Sequence, residues 1–261
     1  MRFFITIITA LSFVTSAYAK LPDAESDDLG EGCVYVHTMR NDPIFKRDGK
    51  EIKVKRGDLL PANGLTVETL DGQYVTLILS NRTAIYVKGS SKFTIESFDQ
   101  VVPFRAFIAD EYEAVRSHFR ISIDWGDFYI AMLTPRPTSR TIIKTRYGVL
   151  EPKSTAFCIL CGKKSSSFAI INGQGMFCGL DNKRDFIQQN QIGTVEEITS
   201  QKMYPLKIEP ITLLQDKNYA KQLDLCKIAI QSVDFRFDNA GKMTAERLVP
   251  KEFLLRRAVF E

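Results

Sequence analysis

The sequence predicts a mainly β fold: a twisted antiparallel β-sandwich or β-solenoid-like domain with a small α+β segment behind it. The first observation is period-2 alternation between Thr66 and Phe98. Val75, Leu77 and Leu79 alternate with Thr76, Ile78 and Ser80; Ile85 and Val87 follow, then Phe93 and Ile95. Such runs read as half-buried strands. The second is punctuation: turn residues recur at Asn63-Gly64, Asp71-Gly72, Asn81-Arg82 and Gly89-Ser90, a spacing for hairpins rather than βαβ units. The third is that the best helical pattern of the mature chain comes late, from Leu213 to Val233.

Taken in order, residues 1–19 read as a secretory signal peptide. Met1-Arg2 is a short basic start, Phe3 to Val14 an apolar run too short for a comfortable membrane span, and Ala17-Tyr18-Ala19 a small-residue cleavage site, placing the cut between Ala19 and Lys20. The expectation is a periplasmic or secreted protein of bacterial type with no stable membrane span after cleavage. No cysteine follows the apolar run directly, so no lipoprotein is expected. Residues 20–32 are acidic and poor in apolar side chains, and read as a mobile mature N-terminus.

Residues 33–180 read as the all-β domain. Val34 to Val36 opens it, Lys50 to Lys55 alternates, and Gly57-Asp58 with Pro61 to Gly64 turns the chain. Pro103 breaks the pattern. Phe107, Tyr112, Val115 and Phe119 approach helical spacing, so residues 105–119 are expected as a short surface helix or an irregular excursion. Strands resume at Ile121–Ile123 and Phe128–Ile130. Thr134 to Ser139 is a polar connector. Four further strands are expected at Thr141–Tyr147, Thr155–Leu160, Phe168–Ile171 and Met176–Leu180, with Gly148, Gly162 to Lys164 and Asn172-Gly173 as separators. Residues 181–261 read as a C-terminal α+β segment: a polar turn or strand edge at Asp181–Gln191, a helix at about 213–233, a hairpin at about 233–248 around Asp238 to Gly241, and a last helical turn after Pro250.

The chain's 261 residues, 44% hydrophobic and 25% charged, are ordinary globular values. A net charge of +4 offers no concentrated basic face, so no nucleic-acid partner is expected. Cys158-Ile159-Leu160-Cys161 is the one motif with chemical character. It reads either as a redox pair or as half a zinc site with Cys178 as third ligand. The plainer readings are a disulfide of Cys178 with Cys158 or Cys161 across neighbouring strands, or buried thiols. Residues three apart in a strand point to opposite faces, which separates the two sulfurs of the motif. Five cysteines leave at least one thiol unpaired in any case.

The remaining candidates are weaker. His37 and His118 lie in no motif, and no G-x-S-x-G, H-E-x-x-H or P-loop pattern is present. Asp234, Asp238 and Asn239 near Gly241 faintly resemble a calcium loop but fit a hairpin turn better. Lys163-Lys164 and Arg256-Arg257 read as solvated basic spots. Trp125, Phe128 and Tyr129 offer an aromatic sugar-binding platform, against which core packing is the simpler expectation. No catalytic residue, cofactor or metal is assigned.

Several pieces together resemble the FecR domain family of exported bacterial proteins. Arg56-Gly57-Asp58-Leu59-Leu60 is similar to the family's G-D-x-L/I entry. Thr69 to Leu79 with Ser80-Asn81-Arg82-Thr83 resembles its T-x-x-x-G-x-x-x-L-x-L-S-N-G-T segment, with Arg82 where glycine is usual. Ser90 to Ile95 resembles S-x-L-x-I, and Ile123 to Phe128 the L-x-x-G-x-L/V strand. Thr145 to Val149 resembles T-P-x-G-V with Arg146 in place of proline, and Lys153 to Phe157 resembles R-G-T-x-F with Ser154 in place of glycine. The resemblance spans roughly Lys55 to Leu180. It implies a twisted all-β domain without a catalytic centre, and an exported module that binds or scaffolds a protein or envelope polymer. The family's best-known members also carry a cytoplasmic anti-sigma segment and one membrane span, which have no counterpart in this reading. The alternatives are a periplasmic signal-relay protein acting on a membrane partner through a strand edge, or a thiol-active protein using Cys158 and Cys161.

Overall fold

The computed structural model describes residues 29–101, 112–113, 115–197, 205–238 and 242–248. In chain order the strands begin with β1 (Leu29–Glu31), β2 (Cys33–Arg40), β3 (Ile44–Arg47), β4 (Lys50–Ile52), β5 (Leu59–Pro61) and β6 (Leu65–Thr69). Next come β7 (Tyr74–Leu79), β8 (Ala84–Val87), β9 (Ser91–Val101), β10 (Ser117–Ala131), β11 (Arg140–Thr145), β12 (Gly148–Cys161) and β13 (Ser165–Gly179). The last are β14 (Arg184–Gln188), β15 (Gln191–Glu196) and β16 (Lys207–Pro210), then helix α1 (Leu213–Gln231) and the hairpin β17 (Val233–Phe237) with β18 (Met243–Arg247).

Three strands are too long for one layer, and their bends make the sandwich. β10 pairs with β9 and β11 through its first half, and with β8 and β12 through its second. The change of partners falls at Gly126. Its φ of +118° is open to glycine alone, and a Cβ there would meet the Cα of Ser91 at 2.5 Å. β12 carries register shifts between Ser154 and Phe157, and β13 turns beside them at Gly173, φ +101°. β14 and β15 then continue one another along β13, interrupted at Asn190, which is also left-handed at φ +61°. The aligned irregularities fold the sheet over on itself, the usual effect of bulges.

One layer therefore runs β4-β3-β6-β9-β10-β11-β12-β13-β14, with β1 beside β6 on β9. The other runs β16-β15-β13-β12-β10-β8-β7-β2-β5. Every described pairing is antiparallel except β10 with β11 and one isolated bridge, so the sandwich expectation holds and the solenoid alternative does not.

Two apolar layers follow from the period-2 pattern. Val75, Leu77, Leu79, Ile85 and Val87 face inward, between the sheets, with Phe93, Ile95, Phe128, Ile130, Phe157, Phe168 and Phe177. Phe93 and Phe128 meet edge to face across the layers at 5.6 Å, and Phe168 and Phe177 lie 4.9 Å apart. Burying each such ring is worth about 2–3 kcal/mol. The alternate residues Ile78, Ala84, Tyr129, Ala131, Ala156, Cys158 and Ala169 face the other way, under α1. The four alanines keep that surface low, so the helix lies close against it.

Helix α1 starts at a capping box. Thr212 Oγ1 accepts from the Gln215 backbone N–H, and the Gln215 side chain accepts from that of Thr212. Tyr219, Leu223, Cys226 and Ile230, spaced at three and four, form the buried face. Ser232 closes the helix by donating to the Ala229 carbonyl from both its N–H and its hydroxyl.

Several expectations are corrected. Leu29–Glu31 is a strand on β9 rather than part of a mobile N-terminus. Asn172-Gly173 is a bend inside one 15-residue strand, because the chain turns from layer to layer there rather than back on itself. The sheet does not end at Leu180: β14, β15 and β16 extend it, and Ile187 and Val195 belong to its core. The boundary expected at 180/181 thus falls inside the sandwich. Ser117 to Phe119 are strand; most of the expected excursion at 105–119, the signal peptide with Ala19 and Lys20, and the turn after Pro250 lie outside the described residues.

Candidate functional site

The expected disulfide is not formed, and the strand register gives the reason. In the β12–β13 ladder Cys158 stands opposite Ala169, Cys161 opposite Ser166 and Cys178 opposite Val149. Cys178 is therefore roughly 30 Å along the ladder from Cys158, far beyond bridging reach. All five cysteines are free thiols. As strand geometry requires, the C-x-x-C sulfurs diverge: Cys158 lies under α1 and Cys161 between the layers. Burial pushes the Cys158 thiol up, reinforced by Cys226 and Asp127, and pushes Cys226 up to about 12. Cys161 is also raised by burial, although Ser166 donates to its sulfur at 3.1 Å. Thiols held protonated lack the thiolate that redox exchange and zinc binding need. Among the described residues no group of three or more His, Cys, Asp and Glu is placed to hold a metal ion.

The other candidates disperse. Phe128 is fully buried between the layers and Tyr129 points under α1, so no platform forms. Trp125 is not core, as had been expected, but 36% exposed, with Lys92 Nζ 5.2 Å from its ring centre. Gly126 turns β10 there and throws the indole outward. His118 is an exposed strand residue opposite Asp99 and Arg140. His37 is buried on β2. Asp234 is no calcium ligand. It is buried and faces Arg236 at 2.8 Å and Arg82 at 3.8 Å. Asp238 Oδ1 accepts from the Lys242 N–H in the hairpin turn; Asn239 and Gly241 lie outside the described residues.

Sequence reasoning missed a polar hub at the β7–β8 turn. Ser80 Oγ accepts from the Cys33 N–H at 3.1 Å and donates to Gln100 Oε1 at 3.0 Å. Asn81 Nδ2 donates to Glu113 Oε1 at 3.1 Å and to Ser117 Oγ at 3.0 Å, while its Oδ1 accepts from the Thr83 N–H. Glu113, 4% exposed, also accepts from the Ser117 hydroxyl and from the Arg136 N–H, and its carbonyl accepts from Arg136 Nε. Arg82 is left-handed at φ +64° and reaches Asp234 of the hairpin. One four-residue turn therefore ties together β2, β9, the segment before β10 and the C-terminal hairpin. A small recess opens beside it, lined by Asn81, Thr83, Glu113, Leu133, Ser139 and Thr141. Asn81-Arg82 was legible as a turn. Glu113 was not, because two of its partners, Asn81 and Arg136, are 32 and 23 residues away.

The outward face of α1 is the second feature. Leu214, Leu225 and Ile228 are 71%, 47% and 57% exposed, and Leu213 beside them 83%. Lys217 and Lys221 sit on the same stripe at helical spacing. A helix with both faces apolar is ordinarily buried on both. Here the inner face is covered by the sheet and the outer face is open.

No family model matches the chain, and no curated protein matches it. Solved structures give low likenesses. A 1.65 Å crystal structure of a proposed anti-sigma factor from Parabacteroides distasonis has a TM-score of 0.43 at 8% identity, covering 74% of this chain and 72% of that one. A 2.50 Å crystal structure, also of a proposed anti-sigma factor from Parabacteroides distasonis, has a TM-score of 0.38 at 7% identity, covering 70% of this chain and 99% of that one. Neither carries a functional argument. The chain is a mainly β protein with one long helix on its outer face among the described residues.

Proposed function

We propose that this chain is an exported, FecR-like, non-enzymatic module that docks a protein of the cell envelope through the outward face of α1. The observation that carries the reading is the stripe of Leu214, Lys217, Lys221, Leu225 and Ile228 on a helix whose other face is already covered. Contiguous exposed apolar side chains on a well-packed domain mark interaction surfaces. The interleaved lysines fit a partner with an apolar ridge flanked by carboxylates. Export is supported by the signal-peptide pattern of residues 1–19. No helix among the described residues is long and apolar enough to cross a membrane. The hub and the buried thiols take structural roles in this reading.

The test is affinity capture from envelope fractions by the wild-type protein and by a Leu225→Glu/Ile228→Glu double variant. Both positions are exposed, so circular dichroism and melting should not change. The wild type is expected to recover a discrete partner that the double variant loses. Identical recovery by both proteins, or no partner for the wild type, overturns the reading.

A further inference from the structure

Of the chain's 35 lysines and arginines and 31 aspartates and glutamates, residues 46–56 hold six and two, which leaves 29 of each elsewhere. The net charge of +4 is therefore not spread over the protein. It is concentrated in β3, β4 and the turn that follows them. Burial sets where these cations lie. Phe45, Ile52 and Val54 pack into the core between the layers, so their neighbours Lys46, Lys53 and Lys55 are left on the outer side. Lys50 and Arg56 are exposed as well. Among the described residues, Arg47 is the one member of the six with an ion pair, to Glu31 at 3.2 Å. The nearby Asp58 carboxylate is spent on the Lys55 backbone N–H, at 2.7 Å. Edge strands carry lysines against unwanted pairing, and β4 is an outer edge, paired with β3 alone. Other outer edges are guarded without an excess of charge: Arg184 adjoins Asp185 on β14, and Lys207 pairs with Glu209 on β16. Nor does the charge stop at the edge here, since Lys46 stands one strand in, on β3.

We infer that this basic hairpin rests on a membrane leaflet of anionic phospholipid. A lipid surface is favoured over a protein partner by the lack of an apolar anchor: no large hydrophobic side chain between Ile44 and Leu60 is exposed. Protein interfaces draw their affinity from buried aromatic and aliphatic anchors. Adsorption to headgroups needs only cations within a screening length of the phosphate plane. Unpaired lysines on flexible stems suit headgroups that keep no fixed arrangement. The hairpin belongs to one layer and α1 lies on the other, so the two surfaces do not compete. The lipid contact stands or falls independently of a protein docked on α1.

The experiment is cosedimentation of the purified protein with vesicles of phosphatidylcholine alone, and of phosphatidylcholine mixed with phosphatidylglycerol. Each is run at about 0.1 M and about 1 M sodium chloride, between which the screening length falls from about 10 Å to about 3 Å. Binding is expected to the mixed vesicles only, and only at the lower salt. Each cation at the surface is worth about fivefold in partitioning, so Lys53→Gln/Lys55→Gln should weaken binding by about 25-fold. Lys227→Gln/Lys242→Gln removes as much charge from the C-terminal segment and should leave binding unchanged. All four lysines are exposed, so circular dichroism and melting should not change in either variant. Four results overturn the inference: equal binding to both kinds of vesicle, no binding to the mixed vesicles at the lower salt, binding that survives the higher salt, or equal loss in the two double variants.

Discussion

Replacing Asn81 by alanine should cost far more than an ordinary turn substitution. The side chain is 6% exposed and makes three hydrogen bonds, to Glu113 and Ser117 through Nδ2 and to the Thr83 N–H through Oδ1. Removing one bond to a buried carboxylate costs about 1.5–3 kcal/mol, and each neutral bond about 0.5–1.5. The sum is about 2.5–6 kcal/mol, a large part of the roughly 5–15 kcal/mol that holds a typical domain together. Urea unfolding followed by far-UV circular dichroism measures it. With a slope of about 2–3 kcal/mol per molar, the midpoint should fall by about 1–3 M at unchanged slope. Asn81→Asp sharpens the test. It keeps the acceptor for Thr83 but sets a second carboxylate against Glu113. The pair takes up a proton more readily folded than unfolded, so the stability deficit should shrink as the pH is lowered into the carboxylate range. A loss below 1 kcal/mol for Asn81→Ala, or a deficit in Asn81→Asp that ignores pH, would refute the shared network.

Further outcomes are expected elsewhere. His37 binds its proton only near pH 4 when folded but near 6.5 when unfolded, so it contributes nothing above pH 6.5 and destabilises the fold progressively as the pH falls from 6.5 to 4. The loss approaches about 3 kcal/mol at pH 4, and His37→Phe should flatten that part of the stability–pH curve. Gly126→Ala drives a Cβ against Ser91 at a φ of +118° and should lower the melting temperature sharply or abolish folding, measured by differential scanning calorimetry. At Arg82, left-handed at φ +64°, glycine relieves strain that alanine retains, so Arg82→Gly should be about 1 kcal/mol more stable than Arg82→Ala in urea unfolding. Native-state alkylation read by mass spectrometry should label Cys33 and Cys178 well before the buried Cys158 and Cys226.

The sandwich was legible because its strands carry their burial pattern in the order of their residues. Val75, Leu77 and Leu79 alternate with Thr76, Ile78 and Ser80 so regularly that the strand itself follows from the sequence. Helix α1 was legible from the broad apolar face on which Leu214, Ala220, Leu223 and Ile230 mix with Tyr219, Leu225, Cys226 and Ile228, although the sequence did not say which of them the sheet would cover. The long strands were harder. Gly173 reads locally as a turn, and only the bulge between Ser154 and Phe157 on the neighbouring strand shows that it bends a continuous ladder. Cys178 looked available to Cys158 because sequence distance says nothing about ladder position. Glu113 was invisible for the same reason: Asn81 and Arg136 reach it only through folding. Trp125 was expected in the core because it precedes the strand bend at Gly126, but that bend, at a φ of +118°, leaves it 36% exposed.

The measurement that bears most directly on the docking account is site-specific photocrosslinking in intact envelopes. A photoreactive residue is placed at Ile228, on the open face of α1, and separately at Asp185, exposed on β14 of the opposite layer. The account predicts one discrete protein adduct from position 228 and none from position 185. Adducts from position 185 alone, or none from either position, would contradict it.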